Sequence, residues 1–171
     1  SKMSNSSNSK KLIKAIAVIN SNSPSGCAGT IQFIEVKNSN LIEIDINLKN
    51  LKPGRHGFHI HESGNLNGGC GSCCAHFNPT NTIHGGKDSK TRHIGDLGNI
   101  KANKNGICKT KTTDSKIKLR GTKFNIIGRS VVIHADEDDL GEGDNQESLV
   151  TGNAGARIGC AVIGYKEAYY F

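Results

Sequence analysis

The eight residues 41–48, LIEIDINL, constrain the fold more than any other stretch. Ile42, Ile44, Ile46 and Leu48 alternate with Glu43, Asp45 and Asn47. A period of two places one set on a buried face and the other in water, which is a strand pattern and not a helical one. Residues 12–19, 29–36, 105–112, 115–119, 130–134 and 160–165 carry related patterns. Turn residues separate them at 38–40, Pro53-Gly54, Asn105-Gly106 and Arg120-Gly121. With the segment around Phe58 and Ile60, about eight short strands are expected, hence an all-β sandwich or barrel.

The composition agrees. Glycine is abundant at 21 residues, proline scarce at 3, and aromatics make up 5% without tryptophan. The 171 residues suffice for one domain with its own core. Residues 1–10 are Ser/Asn-rich and read as a disordered polar tail, leaving 11–171 as the domain. Ser1 and Lys2 before Met3 read as a cloning remnant.

The formal charge of +7 raises the question of nucleic acid, but its placement argues against that partner. Residues 135–150 hold seven acids and no Lys or Arg. The lysines elsewhere are scattered and lack interleaved aromatics. No stretch approaches the ~18 apolar residues of a membrane span, so no membrane partner is expected. The N-terminus lacks the apolar core of a signal peptide, which makes cytoplasmic residence the expectation. Richness in Asn, Lys and Ile suggests an AT-rich genome, such as a protist's or a large DNA virus's.

Two segments, about 62–95 and 135–156, lack strand patterning. Loops this long inside a domain are usually functional. All seven histidines lie between His56 and His134. His59 and His61 are two apart on a strand and so share a face. With His134 they form an imidazole-rich set suited to copper. His76, His84, His93 and Asp96 supply three imidazoles and a carboxylate, a closed shell of the type zinc accepts.

The blocks GFHIHE, HFNP, HGG, RHIGDLGN, IIGRSVVIHADEDDLG and TGNAGARIGCAVIG resemble the copper/zinc superoxide dismutases of the eukaryotic type, in family order and spacing. The resemblance covers about residues 11–165. It implies an eight-stranded antiparallel Greek-key barrel of immunoglobulin-like sandwich type with two long functional loops. It implies one copper ion per subunit on His59, His61, His76 and His134, and one zinc ion on His76, His84, His93 and Asp96. His76 would bridge the two. Asp138 would link copper and zinc histidines, His56 would hold a loop by hydrogen bonding, and Arg157 would bind the substrate anion beside the copper. Cys70 and Cys160 would form a disulfide closing about 90 residues. The implied reaction disproportionates superoxide to dioxygen and hydrogen peroxide, an antioxidant activity. Implied partners are a second copy, meeting near Ser63, Gly64, Ile127 and Gly128, and a copper chaperone.

The chain also departs from the family pattern. Cys73 and Cys74 add two thiols just before His76, read as incidental or as copper-capturing or disulfide-exchanging groups. Asp136, Glu142 and Val150 stand where relatives commonly carry lysines that draw the anion inward. That predicts weak electrostatic steering, with Lys87 or Lys90 as compensating cations. Ser63 replaces a usual interface aromatic, and residues 165–171 run past the usual end. Two other readings are a copper-handling protein on the same fold and a zinc-stabilised binding module. The first lacks the extra metal-binding domain of such chaperones, and the second has no use for His59, His61 and His134 together with Arg157.

Overall fold

A computed structural model describes residues 10–20, 23 and 25–171. The expected disordered tail therefore lies outside the described residues, apart from the exposed Lys10. Among the described residues, nine strands form two antiparallel sheets. They are β1 (Lys14–Ile19), β2 (Ala28–Glu35), β3 (Ile42–Lys49), β4 (Gly54–His61), β5 (Asp96–Ala102), β6 (Cys108–Asp114), β7 (Ser130–His134), β8 (Arg157–Val162) and the two-residue β9 (Gly164–Tyr165). One sheet runs β6-β3-β2-β1-β9 and the other β5-β4-β7-β8. The chain crosses between sheets at β3–β4, at β5–β6, at β6–β7 and at β8–β9, which gives the Greek-key winding of the expected fold.

The alternation in 41–48 is realised in β3. Ile42, Ile44, Ile46 and Leu48 are buried, and they join Ile13, Phe33, Phe58, Ile60, Leu97 and Ile133 in one hydrophobic cluster. Inter-sheet packing of these inward faces drives the fold. In β4 the pattern instead runs buried on both faces from His56 to His61. Phe58 and Ile60 point into the core, while His59 and His61 face the loops that cover the barrel wall.

Two local readings change. Residues 115–119 form no strand beyond an isolated bridge between Lys118 and Asn125. Asp114 Oδ2 accepts from the amides of Lys116 and Ile117, turning the chain so that Ile117 and Leu119 plug the barrel end. Their apolar spacing is that of a plug, which mimics alternation. Conversely, β5 carried no legible strand signal. Gly98, at φ 76°, interrupts it, and the register shifts opposite it between Gly57 and His59.

The C-terminal extension is docked. Lys166 N–H donates to Lys14 O at 2.9 Å, and Lys14 N–H donates to the Tyr169 hydroxyl at 2.7 Å. Together with β9 these bonds cover the outer edge of β1, where an open edge would invite pairing with another chain.

Candidate metal centre

β4 and β7 are hydrogen-bonded neighbours with His59 opposite Val132 and His61 opposite Ser130. His134 ends β7, so three imidazoles reach one patch of barrel wall from two rigid strands. His76 joins them from the first long loop, which is stitched to β4 by Glu62 N–H to Ala75 O (2.9 Å) and Phe77 N–H to Ile60 O (2.8 Å). Single donor atoms from His59, His61, His76 and His134 all lie within 4.8 Å of one another, and all four residues are buried.

Partners assign each tautomer. His59 Nε2–H donates to Asp138 Oδ2 at 2.6 Å, so its lone pair is at Nδ1, which has no partner. His61 Nδ1–H donates to Cys74 O at 2.8 Å, and His134 Nδ1–H to Gly155 O at 3.1 Å. Their lone pairs are therefore at Nε2, and these two nitrogens face each other at 3.4 Å. His76 Nε2 is buried and also unpartnered. Neutral lone pairs brought together in a dry pocket are costly unless a cation sits among them.

The other nitrogen of His76 belongs to a second cluster. His76 Nδ1 is 3.0 Å from Asp96 Oδ1 and 3.1 Å from His93 Nδ1. Asp96 Oδ1 is also 2.9 Å from His84 Nδ1 and 3.2 Å from His93 Nδ1. His84 Nδ1 approaches without making a hydrogen bond, because its proton is at Nε2, given to Asp138 Oδ1 at 2.7 Å. Three imidazole nitrogens thus converge on Asp96 Oδ1 with too few protons to go round. His59, His76, His84 and Asp96 also fall within 4.8 Å of one another, but the His59 Nε2 that approaches this side is spent on Asp138. The donor set fits zinc through His93 instead.

The electrostatics agree with two cation sites. Burial, with His76 and His134 nearby, pushes His59 down to about 3, and burial first of all pushes His134 down to about 4. Burial lowers His61 and His76 as well. Burial opposes charge on His84, yet its hydrogen bond to Asp138 and the nearby Asp96 carboxylate push it up to about 9. Burial likewise opposes ionisation of Asp96 and Asp138. The close imidazoles of His76, His84 and His93 hold Asp96 well below the usual carboxylate range, and hydrogen bonds from His59 and His84 hold Asp138 at about 2. Two ionised carboxylates sit among imidazoles of which His59, His61, His76 and His134 resist protonation, a setting made for metal cations.

The residues expected as ligands are brought together, and His56 lies beside them as a hydrogen-bonding residue. Both its ring nitrogens face carbonyl oxygens, Nδ1 that of His134 (2.8 Å) and Nε2 that of Lys52 (2.6 Å), which leaves it to tie β4 to β7. Arg157 lines the cleft above His61, His76 and His134, its guanidinium donating to Cys70 O at 2.9 Å. Cys70 and Cys160 are disulfide-bonded, while Cys27, Cys73, Cys74 and Cys108 are free.

Other contributors were not foreseen. Arg92 is buried and donates to Asp114 and to the carbonyls of Lys87, His93 and Ile94, so it folds the segment between His84 and Asp96. Cys74, whose carbonyl holds His61, adopts φ 67°, ψ −155°, a conformation ordinarily left to glycine. The compensating lysines do not reach the cleft. Lys87 donates to Thr113 O at 2.9 Å, and the charged residues lining the mouth are Glu62, Glu147 and Arg157.

The family model for copper/zinc superoxide dismutase (SODC) matches residues 27–163. A superoxide dismutase [Cu-Zn] of Paramecium bursaria Chlorella virus 1 is 57% identical over 167 residues, spanning 97% of this chain and 86% of that protein. The extracellular superoxide dismutase [Cu-Zn] of Drosophila melanogaster is 50% identical over 138 residues, spanning 81% of this chain and 76% of the relative. That of Haemonchus contortus is 49% identical over 138 residues, spanning 80% and 75%. Sequence blocks, fold, converging donor atoms and these matches agree: the chain belongs to the copper/zinc superoxide dismutase family.

Proposed function

We propose that residues 11–171 act as one domain that disproportionates superoxide, two anions and two protons giving dioxygen and hydrogen peroxide. The observation that carries this is the convergence of four imidazole nitrogens with unspent lone pairs beneath a cleft that contains Arg157. Copper would be held by His59 Nδ1 and by Nε2 of His61, His76 and His134. Zinc would be held by Nδ1 of His76, His84 and His93 and by Asp96 Oδ1. When bound, copper supplies alternating one-electron chemistry, accepting an electron from one superoxide and giving it to the next.

The chain's own residues do the rest. Arg157 offers a fixed guanidinium to the anion, and its bond to Cys70 O limits where that charge can sit. The Cys70–Cys160 disulfide therefore fixes the arginine as well as the loop. His76 faces the first cluster with Nε2 and the second with Nδ1. Held at Nδ1 by the zinc side, it can take and return a proton at Nε2, one of the two that peroxide needs. Asp138 accepts from both His59 and His84 and so fixes the tautomer of one histidine in each cluster. The arginine over the metal set favours an enzyme over a copper buffer, which has no need to bind an anion there.

Pairing of two copies through one face of the barrel is part of the same reading. Gly64 packs so closely on the Gly128 carbonyl that no Cβ would fit, and the exposed Val162 lies beside them. Ile127 is half-buried next to that patch, and Ser130 Oγ donates to Ser63 O at 2.7 Å. Copper delivery by a chaperone belongs with this reading too. Four free thiols, one of them exposed, favour a reducing compartment and hence the cytoplasm, although two relatives are named extracellular. Pulse radiolysis on protein of measured metal content tests the function. Superoxide decay should scale with bound copper, and no decay from fully loaded protein would sink the proposal. Sedimentation and cell fractionation test the dimer and the compartment.

A further inference from the structure

We propose that Asn99 is a positioning residue for the metal pair, acting through Asp138, and that it sets how tightly zinc is held. The inference rests on the metal reading above and deepens it. Asn99 is half-buried on β5, and 39 residues separate it from Asp138 in sequence. Its Nδ2 donates to Asp138 O at 2.9 Å, and its Oδ1 accepts from Asp138 N–H at 2.8 Å. Only one orientation of the amide satisfies both bonds, so the assignment of oxygen and nitrogen is unambiguous. A single side chain thereby fixes the peptide planes on both sides of Asp138.

That matters because Asp138 has no slack. Its Oδ2 accepts from His59 Nε2 at 2.6 Å, and its Oδ1 from His84 Nε2 at 2.7 Å and Leu140 N–H at 2.8 Å. Gly152, at φ 74°, presses from the other side, where any Cβ would overlap Asp138 Oδ1 and His84 Nε2. The carboxylate is thus wedged between a glycine and an amide clamp, and it aims one imidazole of each cluster. The clamp adds to backbone bonds at Asp136 and Asp139 on either side, whereas the side chains of Asp136 and Glu137 make only exposed pairs, Lys52–Asp136 at 3.9 Å and Arg55–Glu137 at 3.1 Å. Such pairs hold little.

The test uses copper- and zinc-loaded protein and a chromogenic chelator that reports zinc release. Asn99→Ala should release zinc about tenfold faster, the lower end of the cost of losing a group that orients a metal ligand. Asn99→Asp keeps the acceptor but sets a carboxylate against Asp138 O, and should release zinc at least as fast. An Ile31→Val variant, destabilised in the core far from the centre, should release zinc at the wild-type rate. In an Asp138→Asn background, Asn99→Ala should add less than about twofold, because the two act in series. Unchanged release in Asn99→Ala overturns the proposal, as does equal acceleration by Ile31→Val or full additivity with Asp138→Asn. A wild-type chain that binds no zinc overturns the metal reading and this proposal with it. Zinc-holding protein without dismutase activity fails only the function proposed above.

Discussion

The two long loops look alike in sequence, both without strand patterning, yet they are held in different ways. The first, about 62–95, is anchored by strong local bonds: a disulfide, the buried Arg92–Asp114 pair at 2.7 Å, and backbone bonds to β4. It supplies donor atoms. The second, about 135–156, supplies the cleft wall and Asp138. Its acids at Asp136 and Glu137 make only exposed pairs, and Asp139 is busy inside the loop with Ser148 and Asn153. The loops meet at His84, whose N–H donates to Leu149 O at 2.9 Å and whose Nε2–H donates to Asp138. A ligand loop must be rigid on its own, whereas a wall can borrow rigidity from the ligands it touches.

Acid strikes where both loops meet the strands. His59 and His134 stay neutral in the fold down to about 3 and 4, while in the unfolded chain they charge near 6.5. The unfolded state therefore binds more protons below pH 6.5, and stability falls as pH falls. Metal-free protein should lose on the order of 2 kcal/mol per pH unit between pH 6 and 5, read by urea unfolding. Metal loading should move that loss to lower pH. His84 acts in the opposite sense and higher up: its raised pKa makes a contribution that is full below pH 6.5 and is lost as pH rises to about 9.

The anchoring of the first loop can be broken at Arg92. Arg92→Met leaves Asp114 buried and unpaired and should cost about 3–5 kcal/mol, measured by calorimetry. For the second loop, Arg55→Ala on β4 removes the exposed partner of Glu137 and should cost well under 1 kcal/mol. Similar losses for the two would erase the contrast between the loops.

A smaller effect sharpens it. Cys74 holds His61 from a backbone conformation that suits glycine. Cys74→Gly should stabilise the protein by about 1 kcal/mol, relief of strain exceeding the added chain entropy. A lower melting temperature would show that the cysteine side chain stabilises the loop.

The smallest expected effect is a rate. With Glu62 and Glu147 at the mouth and Arg157 its cation, added salt should slow superoxide decay only slightly. Glu147→Lys should raise the low-salt rate several-fold and make it fall with salt. A steep salt dependence in the wild type would place the steering charges elsewhere.

Much of this was legible in the chain. The alternation in 41–48 became β3, and the clustering of histidines located the centre. The tautomers were not legible, because they depend on carbonyls such as those of Cys74 and Gly155, and carbonyls carry no sequence signal. Asn99 sat inside a quoted block without a visible task, since its partner is 39 residues away and is met through the backbone. Residues 115–119 misled for a related reason: the buried spacing of a plug and of a strand are the same over five residues.

The central claim is that one imidazole, His76, serves both ions. Protein loaded with copper(II) on one side and cobalt(II) on the other tests it by electron paramagnetic resonance. A shared imidazole couples the two spins, so the copper signal should collapse when cobalt is added. A copper signal of full intensity with both ions bound would contradict it.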